Sequence, residues 1–429
     1  MTTITIEPAE KGIVGEIRLP GDKSLSHRAL LFGALRGNVR VIDVAPGDDV
    51  ARTIAMLDAL GYPIEREEAT LIVHRRGDRS EEGNHIDCGN SGTTARLGLG
   101  FLVGEHGEFT VTGDDSLRSR PMARIIDPLR TLGAEVMAPT DRLPVTVIAD
   151  GVIEGSDAAI EVGTAQVHAG LVLAGLRSRA GCRLHRTAPM RDHTLRLLHH
   201  FGWMEEQESR EYDLILPGLL TAADPPPPLG LRIPGDFSSA AFLIAAAILI
   251  PGSDLTLRNV GLNPTRTAFL DAVERLGADV EWSVDREEWE PAGTIRARHT
   301  PLLTGSPFTP ERIDVALMMD ELPILSLLCA VADGESVISG ASELRVKETD
   351  RIAGTASILR GVGARVDELP DGLRFAGGSS LRGGASLDPL GDHRLAMLAG
   401  VAGRASSAAV TIVGPECVDV SWPDFWSIL

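Results

Sequence analysis

Lysine is almost missing from this sequence. Only Lys11, Lys23 and Lys347 stand among 41 basic residues, and arginine supplies the rest. So strong a bias leaves lysine where a compact, titratable point charge does what a guanidinium cannot. Cysteine is scarce as well. Cys88, Cys182, Cys329 and Cys417 are scattered without C-x-x-C spacing, which gives neither a disulfide framework nor a zinc site. That usage fits a reducing compartment, so a cytoplasmic location is expected. The longest apolar run, Ala240 to Ile250, falls far short of the roughly 20 residues of a membrane span. The start, MTTITIEPAEKG, has neither the basic head nor the apolar core of a signal peptide. Net positive charge is lacking too. The formal charge of -19 argues against nucleic acid or an anionic membrane as partner. Any basic cluster facing an anionic ligand must be local.

What is present, first, is a stretch that looks like a phosphate loop, LPGDKSLSHRALLFGAL from Leu19 to Leu35. A nucleotide P-loop needs glycine directly before its lysine, so that backbone amides wrap the phosphates. Asp22 stands there instead, and the nucleotide reading fails. The stretch is echoed half a chain later by PGDFSSAAFLIAAAIL, Pro234 to Leu249. A second echo is an apolar residue followed by glycine, closing an amphipathic run and opening a strand. It occurs at Leu60, Leu132, Phe201, Leu276 and Val362, and the chain ends where a sixth such helix would finish. Between these marks recurs a polar cluster followed by an apolar helical run: KSLSHRALLFGAL, NSGTTARLGLGFLVG, TAQVHAGLVLAGL, DFSSAAFLIAAAIL, DELPILSLLCAVA and DHRLAMLAGVAG. Six units of about 70 residues account for the length, three to each of two α/β domains. The run Pro225 to Pro228, with Gly230 close by, reads as a stiff connector near the midpoint.

The polar clusters open on good helix caps: Asp22 or Ser24, Ser91, Thr164, Asp236, Asp320 and Asp392. For DFSS at Asp236, capping and function are equally good accounts. Elsewhere capping explains too little. Lys23, Arg28 and Arg394 fall at or near first helical turns, where a positive charge opposes the helix dipole by roughly 0.3–1 kcal/mol. Repeated in equivalent places, such charges point to helix N-termini converging on a strongly anionic ligand. ELRVKETDRI adds Arg345, Lys347, Glu348 and Arg351, a lysine flanked by carboxylates suited to proton transfer. LRSRPMARI supplies Arg118, Arg120 and Arg124, guanidinium forks that suit carboxylate or phosphate. In GNSGTTARL a glycine-rich turn lets backbone approach a ligand closely. The residues alone therefore give a two-domain repeat protein with an interdomain site for a small, multiply anionic substrate. No metal, nucleotide or covalent-cofactor motif appears, and neither metal nor cofactor is expected.

Taken together, LPGDKSLSHRALLFGAL, GNSGTTARL, DELPIL, ELRVKETDRI and GDHRLAM resemble the 5-enolpyruvylshikimate-3-phosphate synthases of the enolpyruvyl transferase family, in order and spacing, from about Pro20 to the C-terminus. The resemblance implies a two-domain α/β fold, the inside-out α/β barrel of that family, with six βαβαββ repeats. The N-terminal domain is expected over residues 15–230. The C-terminal domain takes residues 1–14 and 231–429, with the N-terminal strand packed into it and the active site in the interdomain cleft. The implied reaction moves the enolpyruvyl group of phosphoenolpyruvate to the 5-hydroxyl of shikimate 3-phosphate, by addition and elimination through an intermediate not attached to the enzyme. Carried over by motif, Asp320 takes the proton of the attacking hydroxyl, Glu348 handles the proton at the methylene carbon, and Lys23 sits at the junction of the substrates. Shikimate 3-phosphate is expected on Lys23, Ser24, Arg28, Thr164, Ala165, Gln166, Asp320 and Lys347. Phosphoenolpyruvate is expected on Lys23, Gly92, Arg120, Gln166, Arg351 and Arg394. The two small molecules are the expected partners of a monomer.

This sequence departs from the family pattern in places. Where relatives read S-A-Q-V-K it has TAQVH, with Thr164 keeping the hydroxyl and His168 replacing lysine. Met190 and Leu195 stand where polar or aromatic residues and glutamate are common, and no lysine lies near GPECVDV. Gly92 is the small residue expected of forms sensitive to glyphosate, which competes with phosphoenolpyruvate. Three rivals remain. The enolpyruvyl transferase that acts on UDP-N-acetylglucosamine usually carries a reactive cysteine in the loop that here reads GDDSLRSRP, with Asp115 near that place. A non-catalytic sensor of a phosphorylated acid has no need of the set Lys23, Asp320, Lys347 and Glu348. An RNA-processing relative of the fold conflicts with the charge.

Overall fold

The computed structural model describes residues 2–76, 84–204, 213–218, 227–301, 303, 309–310 and 312–429. Its six apolar helices are α1 (Lys23–Arg36), α3 (Gly92–Leu102), α6 (Ala165–Gly175), α8 (Phe237–Leu249), α11 (Leu322–Val331) and α13 (His393–Arg404). A helix apolar on every side is stable only when protein surrounds it, and these six are buried along most of their length. Alternating with them are α2 (Asp48–Ala59), α5 (Ala123–Thr131), α7 (His193–His200), α9 (Ala268–Arg275) and α12 (Arg351–Gly361). Shorter helices, α4 (Asp115–Ser119), α10 (Arg312–Leu317) and α14 (Phe425–Ile428), complete the set among the described residues.

The apolar–glycine pairs end α2, α5, α7, α9 and α12. Gly61, Gly133, Gly202, Gly277 and Gly363 all have positive φ, between 69° and 94°. In each case the glycine N–H donates to the carbonyl three residues back, and the next N–H reaches five back, as in Gly61 to Asp58 and Tyr62 to Leu57. These are Schellman caps, which need a residue without Cβ penalty in the left-handed region. Glu205 and Glu206 of the strand expected after Phe201 lie outside the described residues, as do Pro225 and Pro226 of the expected connector. The sixth unit departs from expectation. In place of a full second helix it has a 3-10 turn, Pro415–Val420, and the single turn α14.

The strands form six sheets among the described residues. β3 (Val39–Ile42) is parallel to β13 (Leu229–Arg232) and antiparallel to β5 (Thr70–Val73), which pairs antiparallel with β4 (Ile64–Glu67). β7 (His106–Thr112) is parallel to β6 (His85–Asp87) and antiparallel to β9 (Val145–Asp150), beside β8 (Glu135–Met137). β11 (Cys182–Arg186) is parallel to β10 (Ser156–Val162) and antiparallel to β12 (Asp213–Leu216). These three belong to one compact unit, residues 21–233. The other unit, residues 1–20 with 234–429, holds the remaining three. There β14 (Asp254–Gly261) is parallel to β2 (Val14–Arg18) and antiparallel to β16 (Pro291–Arg298), beside β15 (Val280–Glu287). β19 (Gly372–Phe375) lies antiparallel between β17 (Ser336–Ile338) and β18 (Val366–Leu369). β21 (Val410–Val413) lies between a parallel β20 (Ser386–Leu387) and an antiparallel β1 (Thr3–Ile6).

The two PGD stretches are where strands and helices change company. β2 runs through the first into α1, yet its partner β14 follows α8. β13 runs through the second into α8, yet its partner β3 follows α1. The expected boundaries at residues 15 and 231 cut both strands, β2 after Val14 and β13 after Gly230. Hydrogen bonding assigns them whole, so the units divide between residues 20 and 21 and between 233 and 234. Gly21 is required by close approach, because a Cβ there would lie 1.8 Å from the Asp43 carbonyl oxygen.

Caps follow the expected residues at five of six apolar helices. Asp22, Ser91, Thr164, Asp236 and Asp392 each accept a first-turn N–H. At α11 the cap position falls to Glu321, whose side chain makes no capping bond, and Asp320 stays in the preceding turn.

Helices α3 and α6 meet backbone to backbone. A Cβ on Gly100 would lie 1.9 Å from the Gly170 carbonyl oxygen, and one on Gly170 would lie 2.8 Å from that of Arg96. No side chain there can swing away. Gly100→Ala is therefore expected to force the helices apart, at about 1–3 kcal/mol for overpacking, seen as a lower urea midpoint.

Candidate active site

In the unit of residues 21–233, the first turn of α1 carries the expected cluster. Asp22 accepts from Leu25 N at 2.8 Å, which pins the turn. Lys23 then extends to Asp49 Oδ2 at 2.7 Å, an ion pair that is mostly but not wholly buried. The Asp49 carbonyl accepts from Thr94 Oγ1 at 3.1 Å, and Thr94 Oγ1 lies 2.8 Å from both Thr53 Oγ1 and Ser91 Oγ. Arg28, 1% exposed, holds three helix N-termini together. Its Nη1 donates to Ser24 O and Oγ, its Nη2 to Ala165 O at 3.0 Å and its Nε to Thr194 Oγ1 at 3.0 Å.

The neighbouring turns bring in the rest of the expected set. Thr164 caps α6, accepting from Val167 N at 3.3 Å. Gln166 accepts from Arg96 Nη1 at 3.2 Å and donates to Thr93 Oγ1 at 2.9 Å. Of Arg118, Arg120 and Arg124 only Arg120 is buried, and its Nη2 reaches Asn90 Oδ1 and Ser116 Oγ. Gly92 lies under two guanidiniums. A Cβ there would fall 2.7 Å from Arg96 Nη1 and 3.3 Å from Arg120 Nη1.

In the other unit, Asp320 is the centre of a cationic group. Its Oδ1 lies 3.4 Å from Arg351 Nη1, 3.8 Å from Arg394 Nε and 3.9 Å from Lys347 Nζ, and its carbonyl accepts from Arg394 Nη1 at 3.2 Å. Those charges surround the Asp320 carboxylate, while the cap position of α11 belongs to Glu321. Arg351 is 1% exposed and also bonds Asp392 Oδ2 at 2.7 Å and Glu348 Oε2 at 2.6 Å. Burial works against its charge, but Asp392, Glu348 and Asp320 more than offset it and hold its pKa above the ordinary guanidinium value. ELRVKETDRI is not one charged helix. Ser342–Val346 is a 3-10 turn, and Asp350 caps α12 while accepting from Arg345. That fold turns Arg345 to structural work and leaves Lys347 and Glu348 beside Asp320 and Arg351.

Each unit thus gathers its own part of the expected set: Lys23, Ser24, Arg28, Gly92, Arg120, Thr164, Ala165 and Gln166 in one, Asp320, Lys347, Glu348, Arg351 and Arg394 in the other. Sequence reasoning passed over Asp49 and the holding role of Asp392. Asp49 stands 26 residues from its lysine, and Asp392 41 residues from its arginine. The only local signal, a carboxylate in a first turn, is the signal of any capped helix.

Comparison with known proteins bears on the whole chain. Residues 8–429 match the family described as EPSP synthase (3-phosphoshikimate 1-carboxyvinyltransferase). A 3-phosphoshikimate 1-carboxyvinyltransferase of Desulfitobacterium hafniense is 41% identical, over 99% of this chain and 97% of its own. One of Thermus thermophilus is 42% identical, over 97% and 95%. Among solved structures, EPSP synthase from Acinetobacter baumannii superposes with a TM-score of 0.84 at 32% identity, over 99% of this chain and 97% of that one. The enolpyruvyl transferase NikO from Streptomyces tendae, at 17% identity and a TM-score of 0.75, shares the fold.

His168, which stands where lysine was expected, adds no positive charge. Burial, then Arg186 and Arg28, push its pKa down to about 3. His27, whose Nδ1 lies 2.7 Å from Thr53 Oγ1, is likewise lowered to about 3, chiefly by burial. In the unfolded chain both titrate near 6.5. Below that pH the unfolded chain takes up protons the folded chain refuses, so this stability is complete above about 6.5 and is lost as pH falls toward 3. Urea midpoints are expected to drop from about pH 7 to about pH 5, and His168→Gln to flatten the slope by up to one proton.

Proposed function

The chain belongs to the EPSP synthase family, and from that premise we propose how its residues carry the family's reaction. Phosphoenolpyruvate gives its enolpyruvyl group to the 5-hydroxyl of shikimate 3-phosphate, phosphate leaves, and the product goes on toward aromatic amino acids. The observation that carries the proposal is the Asp320 carboxylate, 3.4–3.9 Å from Lys347, Arg351 and Arg394. It is a proton acceptor set among cations that can hold anionic substrates around it.

Addition across the enol double bond needs a proton delivered to the methylene carbon and another removed from the attacking hydroxyl. Asp320 accepts the hydroxyl proton, and Lys347 assists on the shikimate side. Glu348, kept near by Arg351, supplies the proton to carbon. Lys23 stands at the junction of the substrates, and Arg120, Arg351 and Arg394 with Gly92 and Gln166 bind phosphoenolpyruvate. Ser24, Arg28, Thr164, Ala165 and Gln166 bind shikimate 3-phosphate. Elimination then returns a proton from the methyl carbon and expels phosphate, with the tetrahedral intermediate held only by these contacts.

Two phosphates and two carboxylates need more positive charge than one unit's set supplies, so in this proposal both sets serve one substrate pair. Closing round it excludes water and strengthens each charge interaction. A working monomer is part of this proposal. Four free thiols, pushed up to about 12 largely by burial, support a cytoplasmic enzyme. No helix among the described residues is long and apolar enough to cross a membrane.

Phosphate release in the presence of phosphoenolpyruvate tests the assignment. It is expected with shikimate 3-phosphate and not with UDP-N-acetylglucosamine, and Lys23→Ala is expected to cut kcat about 10²–10⁴-fold. Release with the nucleotide sugar alone defeats the proposal. Gly92→Ala, by pushing Arg96 and Arg120 aside, is expected to raise KM for phosphoenolpyruvate roughly tenfold, with glyphosate inhibition weakened in parallel.

A further inference from the structure

One buried charged group in the unit of residues 1–20 and 234–429 has no part in the chemistry above. Glu321 is wholly buried at the cap position of α11, yet it makes no capping bond. Its Oε1 instead accepts from Ser238 Oγ on the first turn of α8. Arg266, 4% exposed in its side chain, donates to the same Ser238 Oγ at 3.0 Å and lies 3.7 Å from Glu321 Oε1 and 3.8 Å from Asp236 Oδ1. Ser238 therefore both donates to the acid and accepts from the base. The DFSS cluster is more than a cap: it fastens the start of α11 to the start of α8.

Asp320 precedes Glu321 directly. Its carboxylate lies among the cations Lys347, Arg351 and Arg394. Those are the groups that incoming phosphate and carboxylate would engage, so their hold on Asp320 weakens as substrate binds. The tie through Glu321 runs to Ser238 and Arg266, which are buried and not among the proposed substrate contacts. We propose that Glu321, held by Ser238 and Arg266, is a positioning residue that fixes Asp320 for proton transfer when substrate anions have drawn its cations away. This rests on Asp320 being the proton acceptor.

Two gentle variants test it. Ser238→Ala removes one hydroxyl, and Glu321→Gln keeps shape and an acceptor but loses the charge facing Arg266. Each is expected to lower kcat about tenfold or more, with KM for both substrates changed less than about threefold. Both are to be repeated in an Asp320→Asn background, with thermal unfolding as the check on folding. If Glu321 acts through Asp320, neither variant costs anything further there. An undiminished loss in that background, or a rise in KM with kcat unchanged, overturns the positioning role. If Asp320→Asn alone costs little, the premise about Asp320 fails and the inference falls with it. If the variants do not fold, Ser238→Thr, which restores the hydroxyl, must recover kcat; folded protein with kcat still low overturns the proposal.

Discussion

Positive charge at the start of a buried helix is the constraint on which this structure turns. The helix dipole resists it by roughly 0.3–1 kcal/mol, and burial resists it far more. At Lys23 and Arg351 the chain meets both costs with an acid from a different part of the sequence, whereas Arg28 is held by hydroxyls and carbonyls. Asp49 takes Lys23, and Asp392 takes Arg351 while also capping α13. Removing one member of a buried pair typically costs about 3–5 kcal/mol, several times the dipole term. The acids therefore decide whether the clusters persist, and the dipoles only modulate them. The same acids make the clusters exchangeable, because an anionic substrate offers the cations what the carboxylates already give.

The repeat was legible because its signals are local. An apolar residue followed by glycine closes a helix through bonds three and five residues long, so Leu60-Gly61 and Val362-Gly363 announce themselves in a few letters. Caps behave the same way at Asp22, Ser91 and Thr164. DELP shows the limit. Two adjacent acids stand at one helix start, with Ser238 and Arg266 around one and Arg351 and Arg394 around the other; Ser238, Arg266 and Arg394 come from other repeats and Arg351 from 31 residues further on. No short window of sequence around Asp320 contains those partners.

The same limit applies to strand partners. Alternation marks β2 and β13 as strands but is silent on what lies beside them, since each pairs with a strand beyond the helix that a local reading would attach to it. The family likeness supplied the two crossings, and the ladders gave their exact residues. For the site, likeness supplied the residues proposed to face substrate. It was silent on Asp49, Thr194 and Glu321, whose contacts are made only after the helices have packed.

The exchange of strands at the PGD stretches also sets a timetable. The chain is synthesised from its N-terminus, and domains usually complete themselves as they emerge. Here that order is denied. β3 waits for its parallel neighbour until residues 229–232 have been made, β2 until 254–261, and β1 until 410–413. Unpaired strand edges are the parts of a nascent chain most exposed to wrong pairing. The earliest strands to leave the ribosome are thus among the last to be secured, and α1, with Lys23 at its tip, must be held in the meantime by the apolar helices that follow it.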